Sequence, residues 1–153
     1  MSTTADISRA NETMIRDAQL GDADRVFVLL KQLASTYAPD RAAFDESFAF
    51  LVADDSTSVF LVVHDSAGLV LGYVLTTVSP LLHTNGRSAQ LQELVVDDEH
   101  RATGIGTALI EAVERICRER DVKQLTVASR RSADFYERLG YHSTADFLKR
   151  TFD

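Results

Sequence analysis

The sequence predicts a mixed-sheet α/β protein, α+β in type, with about six or seven strands flanked by about four helices. Three observations carry this. Residues 59–63 and 69–75 are β-rich runs joined by the turn chemistry of Asp65-Ser66-Ala67-Gly68, so they form a β-hairpin. Residues 90–116 start as an apolar run, cross the polar link Asp97-Asp98-Glu99-His100, meet a glycine turn at Arg101-Ala102-Thr103-Gly104-Ile105-Gly106, and continue as a helix. The next strand, 123–128, is then reached by a right-handed crossover and runs parallel to the strand before the turn.

The elements follow in order. Residues 1–12 are small and polar and read as a flexible tail, which leaves residues 13–153 as one domain, long enough to bury a substantial core. Thr13-Met14-Ile15-Arg16 is a first strand. Gly21-Asp22 punctuates, with Asp22 a good N-cap for a helix carrying Val26, Leu29, Leu30 and Leu33 and ending near Ser35-Thr36-Tyr37. Pro39-Asp40 opens a second helix, with Phe44, Phe48 and Leu51 at helical steps. After the hairpin, Pro80 closes the strand, and residues 81–88 form a loop around Asn85-Gly86 that leads into the strand ending at Val96. The third helix, from 104 to about 120, has Ile105, Leu109, Ala112, Val113 and Ile116 on one face and Glu111/Arg115 and Glu114/Arg118 pairs on the other. A short helix near 132–139, ended by Gly140, and one or two final strands within 141–152 complete the chain.

Strand, glycine turn and helix together leave backbone N–H groups unpaired at a positive helix end, where a phosphate or pyrophosphate can sit. Two common versions of such a turn do not fit. A P-loop needs a lysine after its second glycine, where Thr107-Ala108 stand; a dinucleotide fingerprint needs a third glycine, where Leu109 stands. The segment from Val95-Val96-Asp97 through Arg101-x-x-Gly104-x-Gly106 resembles the acetyl-CoA-binding motif of the GNAT superfamily of N-acetyltransferases. About thirty residues on, Phe135-Tyr136-Glu137-Arg138-Leu139-Gly140-Tyr141 is similar to the Phe-Tyr-x-x-x-Gly segment of the same family. The two motifs, in that order, span most of residues 89–141.

The resemblance implies a GNAT-like fold with a splayed parallel strand pair, acetyl-CoA as co-substrate, and direct transfer to an amine in a ternary complex. It implies that Leu94, Val95 and Val96 meet the pantetheine arm through their backbones. Arg101, Ala102, Thr103, Gly104, Ile105, Gly106 and Thr107 would wrap the pyrophosphate. Tyr136 stands where the family presents a hydroxyl to the sulfur of coenzyme A, as general acid; otherwise it is a packing tyrosine beside Phe135. Glu93, on the side of Leu91 and Val95 by simple alternation, is the candidate general base, or else an exposed or ion-paired acid. Where many members carry a pantetheine-contacting asparagine, this chain reads Ser129-Arg130-Arg131-Ser132. Ser129 is the substitute, and Arg130 or Arg131 is either a 3′-phosphate ligand or a solvated surface arginine.

Composition narrows the partners. A net charge of −7 and a pI near 5.0 argue against a nucleic-acid backbone. Residues 1–88 hold 11 acids against 6 bases, and 89–153 hold 12 against 10, which leans toward a cationic acceptor such as a small amine, an aminoglycoside-like compound or a protein amine. One cysteine, Cys117, on the edge of an apolar helix face, permits no internal disulfide. His64, His83, His100 and His142 show no ligand spacing, so no metal is expected. With no signal segment and no run near the ~20 apolar residues of a membrane span, a cytoplasmic protein without a membrane partner is expected. Homodimerisation through an edge strand or the C-terminal strands is open, and so is a non-catalytic acyl-CoA-binding module of the same fold.

Overall fold

The computed structural model describes residues 12–33, 37–129 and 132–152; the expected tail at 1–12 (all but Glu12), Ser35 and Thr36 at the expected end of the first helix, and the two arginines Arg130 and Arg131 lie outside them. One sheet organises the chain, with strands β1 (Thr13–Asp17), β2 (Ser58–Asp65), β3 (Val70–Leu81), β4 (Gly86–Val96) and β5 (Gln124–Val127) in that spatial order. Neighbours are antiparallel except β4 and β5, which are parallel as the crossover requires. Helices α1 (Ala23–Leu30) and α2 (Arg41–Ala53) cover one face; α3 (Ile105–Glu119) covers the other, and α4 (Ala133–Arg138) follows β5.

The sheet has five strands among the described residues, not six or seven. Residues 142–152 form no strand, and Phe147, Leu148 and Phe152 are exposed there. Their spacing explains this. Tyr141 and Phe147 fall on one parity and Leu148 and Phe152 on the other, so no single strand face gathers them against the core.

Each face buries its own cluster. Val59, Leu61, Val63, Val74 and Leu91 pack beneath Leu109, Ile110 and Val113 of α3; Phe60, Val62, Tyr73, Leu75 and Val95 pack beneath Val26 and Leu29 of α1 and Phe48 of α2. Alternate residues of β2 serve opposite faces, which is why the strand reads as an unbroken apolar run.

Three local expectations change for identifiable reasons. Asp22 precedes α1 but does not cap it. Its carboxylate instead takes both Arg16 guanidinium donors, at 2.8 and 2.9 Å, and the Gln19 N–H at 2.8 Å. Pro80 does not end β3: pairing continues to Leu81↔Gly86, so the expected loop is a tight turn with Asn85 at φ 57°. The proline is tolerated because β2 begins at Ser58, opposite Thr77, leaving no strand to receive an N–H from Pro80 on that side. Glu114 accepts the Tyr141 hydroxyl at 2.6 Å, and neither expected i,i+4 ion pair on α3 closes among the described residues. Asp40, by contrast, caps α2 as its position implies, accepting from the Ala43 N–H at 2.9 Å.

Candidate active site

Strand β4 is the element on which the site is built. Its parallel pairing with β5 runs from Ser88↔Gln124 to Leu91↔Val127 and stops. Beyond that point β4 continues to Val96 paired, among the described residues, with β3 alone. The stop coincides with a β-bulge, since Leu75 faces Glu93 while Thr76 faces Leu91, and Gln92 is the extra residue. A bulge bends its strand, so β4 leaves β5 at this residue and a gap opens. The ladder then fixes which backbone groups face the gap. Asp97 donates to the Leu71 carbonyl at 2.8 Å, which makes Asp97, Val95 and Glu93 the residues bonded to β3. Leu94 and Val96 therefore turn their N–H and C=O groups into the gap. The Val95 backbone is engaged with β3.

The bulge also changes the direction of Glu93. Leu91 belongs to the cluster under α3 and Val95 to the cluster under α1 and α2, so Glu93 shares a face with Val95 and not with Leu91. Simple alternation puts all three together, and the inserted Gln92 is the physical reason that it fails.

The turn after β4 holds the residues expected to meet an anion. Asp97 N-caps a 3-10 turn at Asp98–His100, Arg101 pairs with Asp98, and Thr103 Oγ1 donates to the His100 carbonyl. Gly104 enters α3 at φ 86°, a conformation that disfavours any side chain, and offers no side-chain cap. The first bond of the helix runs from the Ala108 N–H to the Gly104 carbonyl at 3.0 Å. The N–H groups of Ile105, Gly106 and Thr107 thus have no intrahelical acceptor and carry the positive end of the dipole. Asp97 is anchored from the far side: Arg25 donates to it and, at 2.7 Å, to the Val70 carbonyl. Burial would raise the Asp97 carboxyl, but the hydrogen bonds from Arg25 and from the Glu99 N–H outweigh it and hold it below the usual carboxylate range.

The second motif packs onto the first. A methyl group built on Gly106 would lie 3.6 Å from Phe135 Cζ and 3.8 Å from Val96 Cγ2. Tyr136, one residue on, is buried, its ring edge-on to Phe135 at 5.1 Å and to Tyr141 at 5.9 Å, and burial pushes its phenol up. Ser129 is exposed just beyond β5 and accepts the Ser132 N–H at 3.0 Å.

On the opposite face of β4 lies a cleft of about 260 Å³ between the sheet and α1 and α2. Glu93 forms part of its wall, together with Tyr73, Phe60, Phe48 and Phe44. The Tyr73 hydroxyl donates to Glu93 Oε1 at 2.7 Å, and burial, then the charge of Glu93, push that phenol far above its ordinary value. The other oxygen of Glu93 has no hydrogen bond among the described residues. A chain of rings leads outward: Tyr73 to Phe60 at 5.9 Å, Phe60 to Phe48 at 5.5 Å, Phe48 to Phe44 at 5.2 Å and Phe44 to Phe27 at 5.1 Å. Sequence reading places Phe44 and Phe48 at helical steps on the second helix and gives Tyr73 no role in a site; the signal for Tyr73 is the register of β3 on β4, which periodicity alone does not reveal.

The arrangement offers an anion-binding helix end, a strand edge able to pair with an extended amide chain, and a carboxylate at an apolar cleft on the far face of the same strand. Residues 26–141 match the model of the acetyltransferase (GNAT) family. The glucosamine 6-phosphate N-acetyltransferase of Trypanosoma brucei brucei is 32% identical over 89 residues, which are 57% of this chain and 59% of that protein. The chain thus spans less than two thirds of that relative. Among solved structures, glucosamine-6-phosphate N-acetyltransferase from Arabidopsis thaliana superposes with a TM-score of 0.81 at 20% identity, covering 94% of this chain and 100% of that one. A transcriptional regulator from Bacillus halodurans C-125 superposes with a TM-score of 0.82 at 21% identity, covering 92% and 100%. These structural likenesses show the fold.

Proposed function

Because the chain belongs to the GNAT family of acetyltransferases, we propose that it is an acetyl-CoA-dependent N-acetyltransferase acting on a primary amine by direct attack in a ternary complex. The observation that supports this most is the double use of β4, whose edge at Leu94 and Val96 faces the gap while Glu93 faces the cleft. One strand thereby meets two ligands, one at its edge and one on its adjoining face, which brings them together as a ternary reaction needs.

Acetyl-CoA supplies an acetyl group activated as a thioester. The residues fit it in three ways. The N–H groups of Ile105, Gly106 and Thr107, with Arg101 beside them, suit a pyrophosphate. The Leu94 and Val96 backbone groups suit the amides of the pantetheine arm, and one N–H can polarise the thioester carbonyl. Tyr136 keeps its proton at neutral pH, because burial raises its phenol, and so has one to give to a departing thiolate.

In the acceptor cleft Glu93 receives a proton from the amine, directly or through water, with Tyr73 holding one of its oxygens. The amine nitrogen bonds to the acetyl carbon as the carbon–sulfur bond breaks, and Tyr136 protonates the sulfur. The products are an acetamide and free coenzyme A. Cys117 takes no part: it is buried on the inner face of α3, and burial pushes its thiol up, away from the reactive thiolate. The name of the trypanosomal relative specifies a small amino sugar phosphate, which supports a small-molecule acceptor over a protein.

The test is the melting temperature with acetyl-CoA beside ATP and NAD at equal concentration. A ligand at about 100 times its Kd stabilises by roughly 2.7 kcal/mol, a shift of several degrees. A shift with acetyl-CoA, followed by thiol release with an amine, is expected. A larger shift with a nucleotide overturns the reading of the turn, and binding without thiol release for any amine leaves a non-catalytic acyl-CoA module.

A further inference from the structure

Resting on the transferase reading above, the geometry points to the acceptor: a small primary amine carried on an apolar, ring-bearing body, and not a phosphorylated sugar. Several observations converge on this. The only charged residues lining the cleft among those described are Glu93 and Asp40, both acids, and the rest of the wall is almost wholly apolar. A cation is therefore matched and an anion opposed.

The nearby guanidinium groups are committed elsewhere, and the Lys31 ammonium lies over the outermost ring, 4.9 Å from the Phe27 centre. Arg25 is spent on Asp97 and the Val70 carbonyl, and Arg41 on Asp24 at 2.6 Å and Asp45 at 2.8 Å. A phosphate would find no guanidinium to pair with. The N-terminus of α2, which borders the cleft, would in principle attract one, but Asp40 already fills it with its own carboxylate, bonded to the Ala43 N–H at 2.9 Å. A sugar fares no better, because its hydroxyls would be desolvated against Phe44, Phe48 and Phe60 with few polar partners.

The rings suit a cation borne on carbon. The Arg41 guanidinium already lies 5.3 Å from the Phe27 ring centre and 5.7 Å from that of Phe44, so the outer end of the ring series presents π faces to positive charge. Along the rings an ammonium reaches Glu93, while the body of the molecule remains against Phe44 and Phe48. The volume, about 260 Å³, falls below the ~300–1,000 Å³ of ordinary ligand pockets and fits one ring with a short amine arm.

The test compares kcat/KM for coenzyme A release with 2-phenylethylamine, putrescine and glucosamine 6-phosphate. Phenylethylamine is expected to lead both others by at least about tenfold, within the range that an apolar pocket discriminates. Phe44→Ala should raise the phenylethylamine KM about tenfold, with kcat less affected and the acetyl-CoA melting shift unchanged; Phe44→Leu should recover most of the loss. Preference for glucosamine 6-phosphate or putrescine, or no response to Phe44→Ala in a protein that still shifts with acetyl-CoA, overturns this inference and leaves the transferase intact. No thiol release with any amine overturns both.

Discussion

Changing Tyr73 to Phe isolates one bond. The ring is buried against Phe60, so its apolar contacts survive and no cavity forms. What disappears is the hydroxyl that donates to Glu93 Oε1 at 2.7 Å. A hydrogen bond to a charged group contributes roughly 1.5–3 kcal/mol, and because Glu93 is half-buried and water can replace the donor, the lower end applies. At roughly 2–4 °C per kcal/mol for a chain of this size, Tyr73→Phe should melt roughly 3–6 °C below the parent. Turnover should fall further than stability suggests. A carboxylate freed to swing loses the attack geometry, and about a tenfold loss in kcat is expected with the acetyl-CoA KM unchanged. Glu93→Gln keeps a partner for Tyr73 but removes the proposed base, so it should lower kcat more than Tyr73→Phe does. In the double variant the two losses should not add, with a coupling of about 1 kcal/mol or more. Parent-like melting and parent-like kcat in Tyr73→Phe would refute the role assigned to the bond, and strict additivity would show that the two side chains act independently.

Three further outcomes follow from other contacts. Tyr136→Phe should retain the acetyl-CoA melting shift while losing turnover by roughly 10²- to 10⁴-fold, the range of general acid–base contributions; full activity would reduce the residue to packing. Gly72→Ala should destabilise by about 1–3 kcal/mol in urea unfolding, because its new methyl group would lie 2.8 Å from the Val95 carbonyl oxygen, a backbone atom that cannot step aside; an unchanged midpoint would show that β3 and β4 can part there. Asp22 is held below the usual carboxylate range by the Arg16 hydrogen bonds against the opposing effect of burial. A depressed folded-state value adds stability above the unfolded pKa of about 3.9 and loses it as pH falls through the folded value. Asp22→Asn should therefore melt below the parent at neutral pH, with the gap closing under acid; a gap independent of pH would assign the loss to packing.

The features legible in the sequence are those governed by local rules. Apolar spacing locates α2 and α3 to within a few residues and finds the start of α1, which ends at Leu30, short of the expected end near Ser35-Thr36-Tyr37; the Asp40 cap and the Asp65–Gly68 turn are fixed by their own side chains and glycine. The features that escape depend on partners distant in the chain. The phase of Glu93 depends on how β3 seats against β4, and nothing within residues 88–96 marks Gln92 as the inserted residue. Asp22 reads as a cap until Arg16 is found beside it, and Glu114 reads as the partner of Arg118 until Tyr141 arrives from beyond α4. The cleft is hardest of all, because its rings come from α2, β2 and β3 and only the folded sheet assembles them.

The single inserted residue in β4 separates two properties that a regular strand would tie together. Deleting Gln92 would leave Leu91 and Glu93 as consecutive residues, still pointing to opposite faces, so the acceptor wall would keep its carboxylate. The strand itself would lose the bend that turns it from β5, narrowing the edge proposed for the pantetheine arm. Shape and chemistry in this strand are thus independent variables. Shortening it by one residue narrows the opening without removing a single reactive group, whereas exchanging side chains on the cleft face can alter which amine is accepted without touching the opening.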